Sequence, residues 1–315
     1  QDRDGDENWR IYVTDLEGDE TRDLTPIERI QARILAASPD YPQEVLIGLN
    51  DRDPQWHDVY RLNIVTGERN LVYENHRFAE FSIDRQLRLR EAYLMTPDGG
   101  MEIYRPDGAE WKKRDEVPRE DNVTTAPLGF DESGNTLYMM DSRGRNTAAL
   151  YAVDYESGVS KLLAENPRAD LADTIRHPVT REVQAAAFTY ERKEWRILDG
   201  AIRGHLETLE QLDRGEVEIL SRSRDDRYWI VAYTRDNGPS PFYLYDSTTR
   251  EATFLFTNRP ALDGTPLTPL HSTTIKSRDG LDLVVYYALP RGSDSNGDGI
   301  PDEPLPMVLN PHGGP

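Results

Sequence analysis

The sequence has no cysteine and no long apolar run. None of its 315 residues is cysteine, which excludes a disulfide framework, a thiolate zinc site and a cysteine nucleophile within these residues. No apolar stretch approaches the roughly 20 residues that a membrane-spanning helix needs. The first residues are also too polar for the apolar core of a secretory signal. We therefore predict no membrane span, and the redox compartment stays open.

Positive charge is scarce as well. Lys and Arg total 37 against 57 Asp and Glu, so the formal net charge is -20. Such a surface repels phosphate groups, which argues against nucleic acid or an anionic membrane as a partner. The acidic balance, together with the candidate calcium loop described below, favours a periplasmic or secreted location.

A short tetrad, Tyr-x-x-Asp or Tyr-x-x-Asn, recurs along the chain. Its copies are Tyr12/Asp15, Tyr60/Asn63, Tyr104/Asp107, Tyr151/Asp154 and Tyr243/Asp246, with a degenerate copy at Arg196–Asp199. The last residues of successive tetrads are 48, 44, 47, 45 and 47 positions apart. This regularity indicates an internal repeat of about 45 residues.

Each tetrad follows an aromatic and β-branched run and precedes a turn. Four of these turns contain glycine, at Gly18, Gly67, Gly108 and Gly158. The pattern predicts hairpins in which Asp or Asn bonds its own turn backbone and glycine adopts positive φ. Two further strands are predicted before a hairpin, as in residues 30–36 followed by 44–49. Four strands per repeat of this length are typical of a β-propeller blade.

We therefore predict an all-β fold, a β-propeller of four-stranded blades with about six visible. The first hairpin lacks its two preceding strands, so we expect at least one more blade or half-blade before Gln1. An evenly spaced β-sandwich is the alternative architecture. One segment departs from the repeat: residues 201–212 carry leucines at helical spacing, which predicts a helix where an outer strand is due.

The repeat ends after Phe256, and three prolines in residues 257–270 mark a linker. We predict a propeller domain over residues 1–260, N-terminally incomplete. Residues 261–315 are predicted to be a linker followed by the opening strands of a truncated second domain. A hairpin formed by residues 272–276 and 281–289, and a strand at 307–310, would be those strands.

An acidic loop follows the predicted hairpin. Asp294, Asn296, Asp298 and Asp302 place oxygen ligands at short intervals, with glycines between them. Oxygen ligands in a sharply turned loop are what calcium prefers. The position of the bidentate glutamate in an EF-hand is occupied by Leu305, so that pattern fails. Structural calcium is the candidate cofactor, and an Asp/Gly-rich surface turn without an ion is the alternative.

The chain ends on an apolar run and a His312-Gly313-Gly314-Pro315 turn. The order of these parts, namely blades, linker, a hairpin with Ser277-Arg-Asp-Gly280 and the terminal turn, resembles the prolyl oligopeptidase family of serine peptidases. The acylaminoacyl peptidase and dipeptidyl aminopeptidase branch is the nearest in this respect. The motif-level match covers residues 272–315.

The resemblance implies a propeller that limits entry to the active site of an α/β-hydrolase domain. It implies that the backbone of His312, Gly313 and Gly314 contributes to an oxyanion hole. The catalytic Ser, Asp and His would follow downstream of Pro315, because these residues contain no Gly-x-Ser-x-Gly elbow. The implied partners are a peptide substrate and the protein's own hydrolase domain, and no cofactor is required. The fragment alone is predicted to be inactive.

Two other functions stay open at this point. The first is a secreted or periplasmic propeller that binds protein or glycan without hydrolase activity. The second is a propeller glycosidase or lyase, which would need paired carboxylates from different blades. Neither peptide specificity nor oligomeric state follows from the sequence.

Overall fold

The computed structural model describes residues 1–2, 4–18 and 20–311, which form antiparallel sheets and one α-helix. They divide into two compact units. The first contains the described residues up to 171 together with 180–182, and the second contains 172–179 and the described residues from 183 onward. Among the described residues, no helix has the length and apolar character needed to cross a membrane.

The first unit begins with a two-stranded sheet and continues with three four-stranded sheets. The two-stranded sheet pairs β1 (Tyr12–Thr14) with β2 (Thr21–Asp23). The next sheet contains β3 (Ala32–Ala37), β4 (Glu44–Asp53), β5 (Trp56–Asn63) and β6 (Arg69–Tyr73). It is followed by β7 (Glu80–Ile83), β8 (Leu89–Met95), β9 (Met101–Asp107) and β10 (Glu110–Val117). The last contains β11 (Ala126–Phe130), β12 (Thr136–Asp141), β13 (Ala149–Asp154) and β14 (Ser160–Ala164).

These three sheets share one strand order, in which each strand pairs with the next along the chain. The first strands of the sheets are neighbours, since β7 contacts both β3 and β11. Second strands are the most buried, as Leu46, Ile47 and Leu49 of β4 show, whereas the last strands expose most of their side chains. This is the arrangement of propeller blades.

The second unit contains a three-stranded sheet, a four-stranded sheet and a hairpin. The three-stranded sheet consists of β15 (Leu171–Arg176), β16 (Val183–Thr189) and β17 (Lys193–Ile197). The four-stranded sheet consists of β18 (Glu216–Arg222), β19 (Tyr228–Thr234), β20 (Pro241–Asp246) and β21 (Glu251–Thr257). The hairpin pairs β22 (Leu270–Lys276) with β23 (Asp282–Ala288).

The predicted helix is confirmed. Helix α1 (Arg203–Leu212) follows a 3-10 turn at Gly200–Ile202, and no fourth strand joins the three-stranded sheet in the described chain. Its Leu206 and Leu209 are buried, together with Ile202, against side chains of the neighbouring sheets, including Trp229. The helical spacing of these residues therefore reflects packing between the sheets of this unit.

The predicted turn chemistry is also confirmed. The Asn63 side chain accepts hydrogen bonds from the backbone N–H groups of Val65 and Thr66, both at 2.9 Å. Asp154 accepts one from Ser157 N at 2.8 Å in the equivalent turn. Gly67 and Gly158 have φ of 79° and 73°, a region that side-chain-bearing residues avoid. Local chemistry thus ends β5 and β13 in the same way.

The predicted count of about six blades is too high. The described residues form five sheets of three or four strands with the blade order. The predicted first, incomplete blade is the separate β1–β2 sheet, whose flanking residues Ile11 and Leu24 pack with the first four-stranded sheet. A hairpin without its two preceding strands makes no blade, because half of the sheet is missing.

The predicted hairpin after the linker is confirmed as β22–β23, whereas the strand predicted at residues 307–310 is absent from the described structure. Met307, Val308 and Leu309 are 84%, 93% and 78% exposed. A single apolar segment forms a strand only beside a partner strand, and none adjoins it here. The domain boundary predicted at residue 260 lies inside the second compact unit and stays a prediction.

Candidate functional site

The residues predicted to form the oxyanion hole, His312, Gly313 and Gly314, lie outside the described residues. Because the described residues end at Pro311, the assignment of these backbone groups to an oxyanion hole stays a prediction. The candidate sites that can be described are the acidic loop and the cavities of the first unit.

In the acidic loop, Asp294 acts as the cap of a tight turn. Its Oδ1 accepts hydrogen bonds from the backbone N–H groups of Gly297 at 2.7 Å and Asp298 at 3.2 Å. Its Oδ2 accepts one from Gly299 at 2.8 Å. The bond from Gly299, reinforced by the other two, lowers the pKa of Asp294. The carboxylate is therefore ionised and already engaged by the loop backbone.

The other predicted ligands point to loop partners too. Asp298 accepts from Ile300 N at 2.8 Å and from Asn296 Nδ2 at 3.0 Å. Asp302 accepts from Ser295 Oγ at 3.0 Å. Across residues 1–2, 4–18 and 20–311, no three His, Cys, Asp or Glu side chains converge as metal ligands would. In this arrangement the four residues do not form a calcium cage, so binding would require their carboxylates to exchange partners.

A cavity of about 720 Å³ lies in the first unit beside the segment that joins β10 to β11, and we call it the acidic cavity. Its lining residues are Glu120, Asp121, Thr124, Ser142, Gly144, Arg145, Asn146 and Asp170. Three carboxylates and one guanidinium thus face one space. The cavity gathers residues from three separate segments of the chain.

Asp121 is held in place by neighbouring hydroxyl groups. Ser142 Oγ donates to Asp121 Oδ1 at 2.8 Å and lies 2.6 Å from Thr124 Oγ1. Asn122, the next residue, donates its Nδ2 to the carbonyl oxygen of Gly99 at 3.1 Å. These bonds tie the joining segment to the turns on either side of it. The position of the Asp121 carboxylate is therefore set by the fold.

Glu120 differs from its neighbours in the acidic cavity. Arg145 pairs with Glu165, and Asp170 accepts a hydrogen bond from Ala148 N at 2.6 Å. Glu120 is exposed and has no hydrogen-bond or ion-pair partner among the described residues. Of the cavity's carboxylates, it is the one available to a cationic group from outside.

The carboxylates of a second acidic pair, Asp225 and Asp226, are bonded to neighbouring groups of the protein. Asp226 forms an ion pair with Arg222 and accepts from Trp229 Nε1 at 2.9 Å. Asp225 accepts from Ser223 Oγ at 2.6 Å, and this bond lowers its pKa. Both carboxylates stabilise the turn between β18 and β19. Adjacent acidic residues in the sequence therefore have different roles at the two places.

Another cavity of the first unit, of about 360 Å³, is polar but occupied by internal pairs. Glu91, which lines it, accepts from Arg105 Nε at 2.8 Å and from Tyr93 Oη at 2.7 Å. Its Arg143 is paired with Asp141 and Asp115. These groups balance each other's charge. The acidic cavity is accordingly the stronger candidate for a ligand site in this unit.

Glu120 and Asp121 are adjacent acidic residues in the sequence, but their adjacency does not place them in a cavity. Ser142, Arg145 and Asp170 come from two turns farther along the chain. Nothing in their local sequence marks them, because their common position depends on how the sheets pack.

Comparisons with known proteins identify relatives over the whole length of the chain. It is 44% identical over 318 residues to dipeptidyl aminopeptidase BIII from Pseudoxanthomonas mexicana, covering 100% of this chain and 46% of that protein. The chain is homologous to dipeptidyl peptidases of the prolyl oligopeptidase family. It is also 30% identical over 346 residues to dipeptidyl peptidase family member 6 from Caenorhabditis elegans, covering 100% of this chain and 47% of that protein. The resemblance inferred from the terminal motifs is thereby confirmed.

The fold has relatives among solved structures. A puromycin-hydrolyzing peptidase from Mycobacterium tuberculosis superimposes with a TM-score of 0.56 at 14% identity, covering 89% of this chain and 47% of the other. This likeness concerns the fold alone. No family model matches the sequence. The chain spans about half the length of the peptidases that it matches.

Proposed function

We propose that the full-length protein is a serine-type peptidase that releases dipeptides from short peptides, and that this chain is its substrate-gating propeller region. The observation that carries the proposal is the 44% identity to a dipeptidyl aminopeptidase across the entire chain. The blade order of the sheets and the hairpin β22–β23 agree with it. The hairpin would be the start of the α/β-hydrolase domain.

In this proposal the chemistry lies outside the described residues. The backbone at His312, Gly313 and Gly314 would stabilise the oxyanion, and a downstream Ser would attack the scissile carbonyl. A downstream His would carry the proton and an Asp would orient that His. Residues 1–311 would select substrates by size and by charge.

A fluorophosphonate probe tests the catalytic part of the proposal, because it modifies activated serines. The full-length protein should be labelled and should release dipeptides from peptides with a free N-terminus. A fragment consisting of residues 1–315 should do neither. Lack of labelling of correctly folded full-length protein would overturn the peptidase assignment and favour a binding module.

A dipeptidyl peptidase must also hold the free amino group of its substrate. We propose that Glu120, assisted by Asp121, does so in the acidic cavity, since Glu120 has no partner among the described residues. An ammonium group and a carboxylate form a charge-assisted hydrogen bond, which is stronger than a neutral one.

Glu120→Gln in the full-length enzyme should reduce kcat/KM for peptides with a free N-terminus by about tenfold, mostly through KM. The rate of labelling by a fluorophosphonate without an amino group should stay unchanged. Asp225→Asn, in a turn that is internally bonded, is the matched control. An unchanged KM in Glu120→Gln would remove this residue from the proposal and leave the peptidase assignment intact.

A further inference from the structure

Glycine follows asparagine at two places in the sequence, Asn237-Gly238 and Asn296-Gly297. An asparagine in this position can lose its side-chain amide without an enzyme, because glycine has no Cβ to keep its backbone nitrogen away from the asparagine Cγ. The reaction needs an exposed asparagine, a backbone that can change conformation, and a glycine N–H that no acceptor holds. The two asparagines differ in these respects.

Asn296 is held in the turn of the acidic loop. Its Oδ1 accepts from the backbone N–H of Asp298 at 3.1 Å, and its Nδ2 donates to Asp298 Oδ2 at 3.0 Å. The backbone N–H of Gly297, whose nitrogen would have to attack the Asn296 side chain, donates to Asp294 Oδ1 at 2.7 Å. Hydrogen bonds to a carboxylate are among the stronger ones in proteins. The reacting nitrogen and the reacting side chain are therefore both engaged.

Asn237 lies in the loop between β19 and β20 and is exposed. Among the described residues, neither its side chain nor the backbone N–H of Gly238 has a hydrogen-bond partner. The loop is fixed just before β20 begins, where Ser240 N donates to Asn258 Oδ1 at 2.9 Å. The Asn237-Gly238 pair is thus the unbonded centre of this loop, and nothing there opposes the approach of the glycine nitrogen to the asparagine side chain.

Asp236, the residue before Asn237, holds the hairpin β22–β23. Its Oδ2 accepts from the backbone N–H of Leu270 at 3.1 Å and pairs with Arg192 Nη2 at 3.1 Å. Arg192 Nη2 also donates to the carbonyl oxygen of Leu270 at 2.9 Å. Leu270 is the first residue of β22, so these bonds fix the beginning of the hairpin. A change in the main chain at Asn237 therefore acts next to the carboxylate that holds the hairpin.

We propose that Asn237 deamidates spontaneously in the folded protein and that its isoaspartyl product releases Asp236 from the hairpin. The Gly238 nitrogen gives up its proton to a base in solution and attacks Cγ of Asn237. The new C–N bond closes a succinimide ring, and the side-chain nitrogen leaves as ammonia after taking up a proton. Water then adds to either succinimide carbonyl and breaks its C–N bond, which gives aspartate or isoaspartate. In sum, one water is consumed and one ammonia is released, with no oxidation.

The isoaspartyl product lengthens the main chain by one methylene group, because the chain then runs through the former side-chain carbon. It also places a new carboxylate beside Asp236. Both changes move the backbone that positions the Asp236 side chain, and a hydrogen bond weakens steeply when its geometry departs from the preferred range. Glu191 still holds the rest of the hairpin, through Ser272 Oγ at 3.1 Å and Tyr286 Oη at 2.6 Å. The loosening is therefore confined to the beginning of β22.

Peptide mass spectrometry of the natural full-length protein tests the chemical part of the proposal. After incubation in mildly alkaline buffer, Asn237 should be converted about tenfold faster than Asn296, because the Gly297 N–H must first break its hydrogen bond. Gly238→Ala should slow the conversion at Asn237, since the added methyl group crowds the attacking nitrogen. The fold accepts this methyl group, whose nearest neighbour would be Arg235 Cδ at 3.9 Å.

Asp294→Ala provides the reverse test. It frees the backbone N–H of Gly297, and the rate at Asn296 should then rise toward the rate at Asn237. A synthetic peptide of residues 233–241 gives the intrinsic rate of the Asn237 reaction, because it has no fold. Equal rates at the two asparagines of the wild-type protein, or an intact Asn237 after the peptide has reacted, would overturn the proposal.

Hydrogen exchange tests the effect on the hairpin. In deamidated full-length protein, the Leu270 N–H that donates to Asp236 should exchange about tenfold faster than in fresh protein. The Gly238→Ala variant, incubated in the same way, should keep the slow exchange at Leu270. The backbone N–H of Thr274, farther along β22, should exchange at the same rate in all samples. Unchanged exchange at Leu270 in fully deamidated protein would overturn the release of Asp236.

Discussion

At the scale of single residues, the first unit is held together by buried carboxylates that each face arginine. Asp84 has a fully buried side chain and accepts from Arg88 Nε at 2.8 Å and Arg90 Nη1 at 2.9 Å. Burial alone would raise the pKa of Asp84, but these hydrogen bonds outweigh it and the pKa is lowered below 3.8. A buried charge of this kind stabilises only while its partners remain.

Asp84→Asn should therefore destabilise the protein by about 3 kcal/mol, because Arg90 loses its buried counter-charge. Urea unfolding at neutral pH measures this loss. Glu156→Gln, at an exposed position without a side-chain partner in the described structure, should change the stability little. Equal stability of both variants would show that the Asp84 pairs contribute nothing.

The contribution of Asp84 to the stability of the protein depends on pH with a definite sign. A carboxyl group with a depressed pKa in the folded state stabilises fully above its unfolded pKa, near 3.8, and loses this effect as pH falls through the folded pKa. The stability difference between wild type and Asp84→Asn should accordingly be constant at neutral pH. It should shrink as the pH falls below about 4.

The calcium hypothesis also belongs to this scale. If Asp294, Asn296, Asp298 and Asp302 bind calcium, millimolar calcium should raise Tm, and Asp298→Asn should abolish the rise. Magnesium serves as the control ion, because it prefers smaller octahedral sites. An unchanged Tm would leave the loop as a turn stabilised by the hydrogen bonds of Asp294 to its backbone.

At the scale of elements, helix α1 replaces an outer strand and fills space between two sheets. Its Leu209 is fully buried, and the backbone carbonyl of the same residue accepts a hydrogen bond from Tyr233 Oη at 2.6 Å. Beyond its last turn, Asp213 accepts from Tyr243 Oη at 2.6 Å. The helix is therefore fixed to the neighbouring sheet by apolar packing and by two tyrosine hydroxyls.

Leu209→Ala should lower the free energy of unfolding by about 2–5 kcal/mol, since it leaves a cavity against Trp229 and Tyr233. Leu212→Ala, on the same helix but 40% exposed, should cost far less. Denaturant unfolding monitored by tryptophan fluorescence compares the two variants. Equal losses of unfolding free energy in the two variants would mean that α1 lies on the surface and is not packed into the core of this unit.

The elements that sequence predicted best are those with local causes. The hairpin at residues 151–163 follows from alternating apolar residues, the cap at Asp154 and positive φ at Gly158. The strand expected at 307–310 failed because its stability depends on a neighbouring strand rather than on its own residues. Local signals predict where a strand can form, and pairing decides whether it does.

At the scale of the whole molecule, charge is the dominant feature. A formal net charge of -20 over 315 residues produces a negative field that repels polyanions. Many of the arginines that could offset it are paired internally, such as Arg85 with Asp40 and Glu132. The remaining surface is therefore dominated by carboxylates.

We expect no measurable affinity for duplex DNA, even at low salt where electrostatic binding is strongest. Fluorescence anisotropy of a labelled oligonucleotide measures this. A basic protein of similar size serves as the positive control. Salt-sensitive binding in the micromolar range would contradict the prediction and would point to a basic patch hidden within the overall acidic charge.

The sequence by itself determined the repeat, the turn chemistry, the helix and the relationship to prolyl oligopeptidase-type peptidases. Each of these depends on residues that are near one another in the chain or on a motif read directly. The hairpin β22–β23 also followed from local composition. The number of blades did not follow from the sequence, since counting hairpins cannot show which sheets are complete.

Only the tertiary structure decided which charges are paired and which face a cavity. Arg85 meets Asp40 and Glu132, residues 45 and 47 positions away, and Glu120 shares the acidic cavity with Asp170. Such pairings depend on how sheets pack, because distant side chains meet only after the strands are in place. For the same reason, the acidic doublets Glu120-Asp121 and Asp225-Asp226 became an open carboxylate at Glu120 and a hydrogen-bonded turn at Asp225.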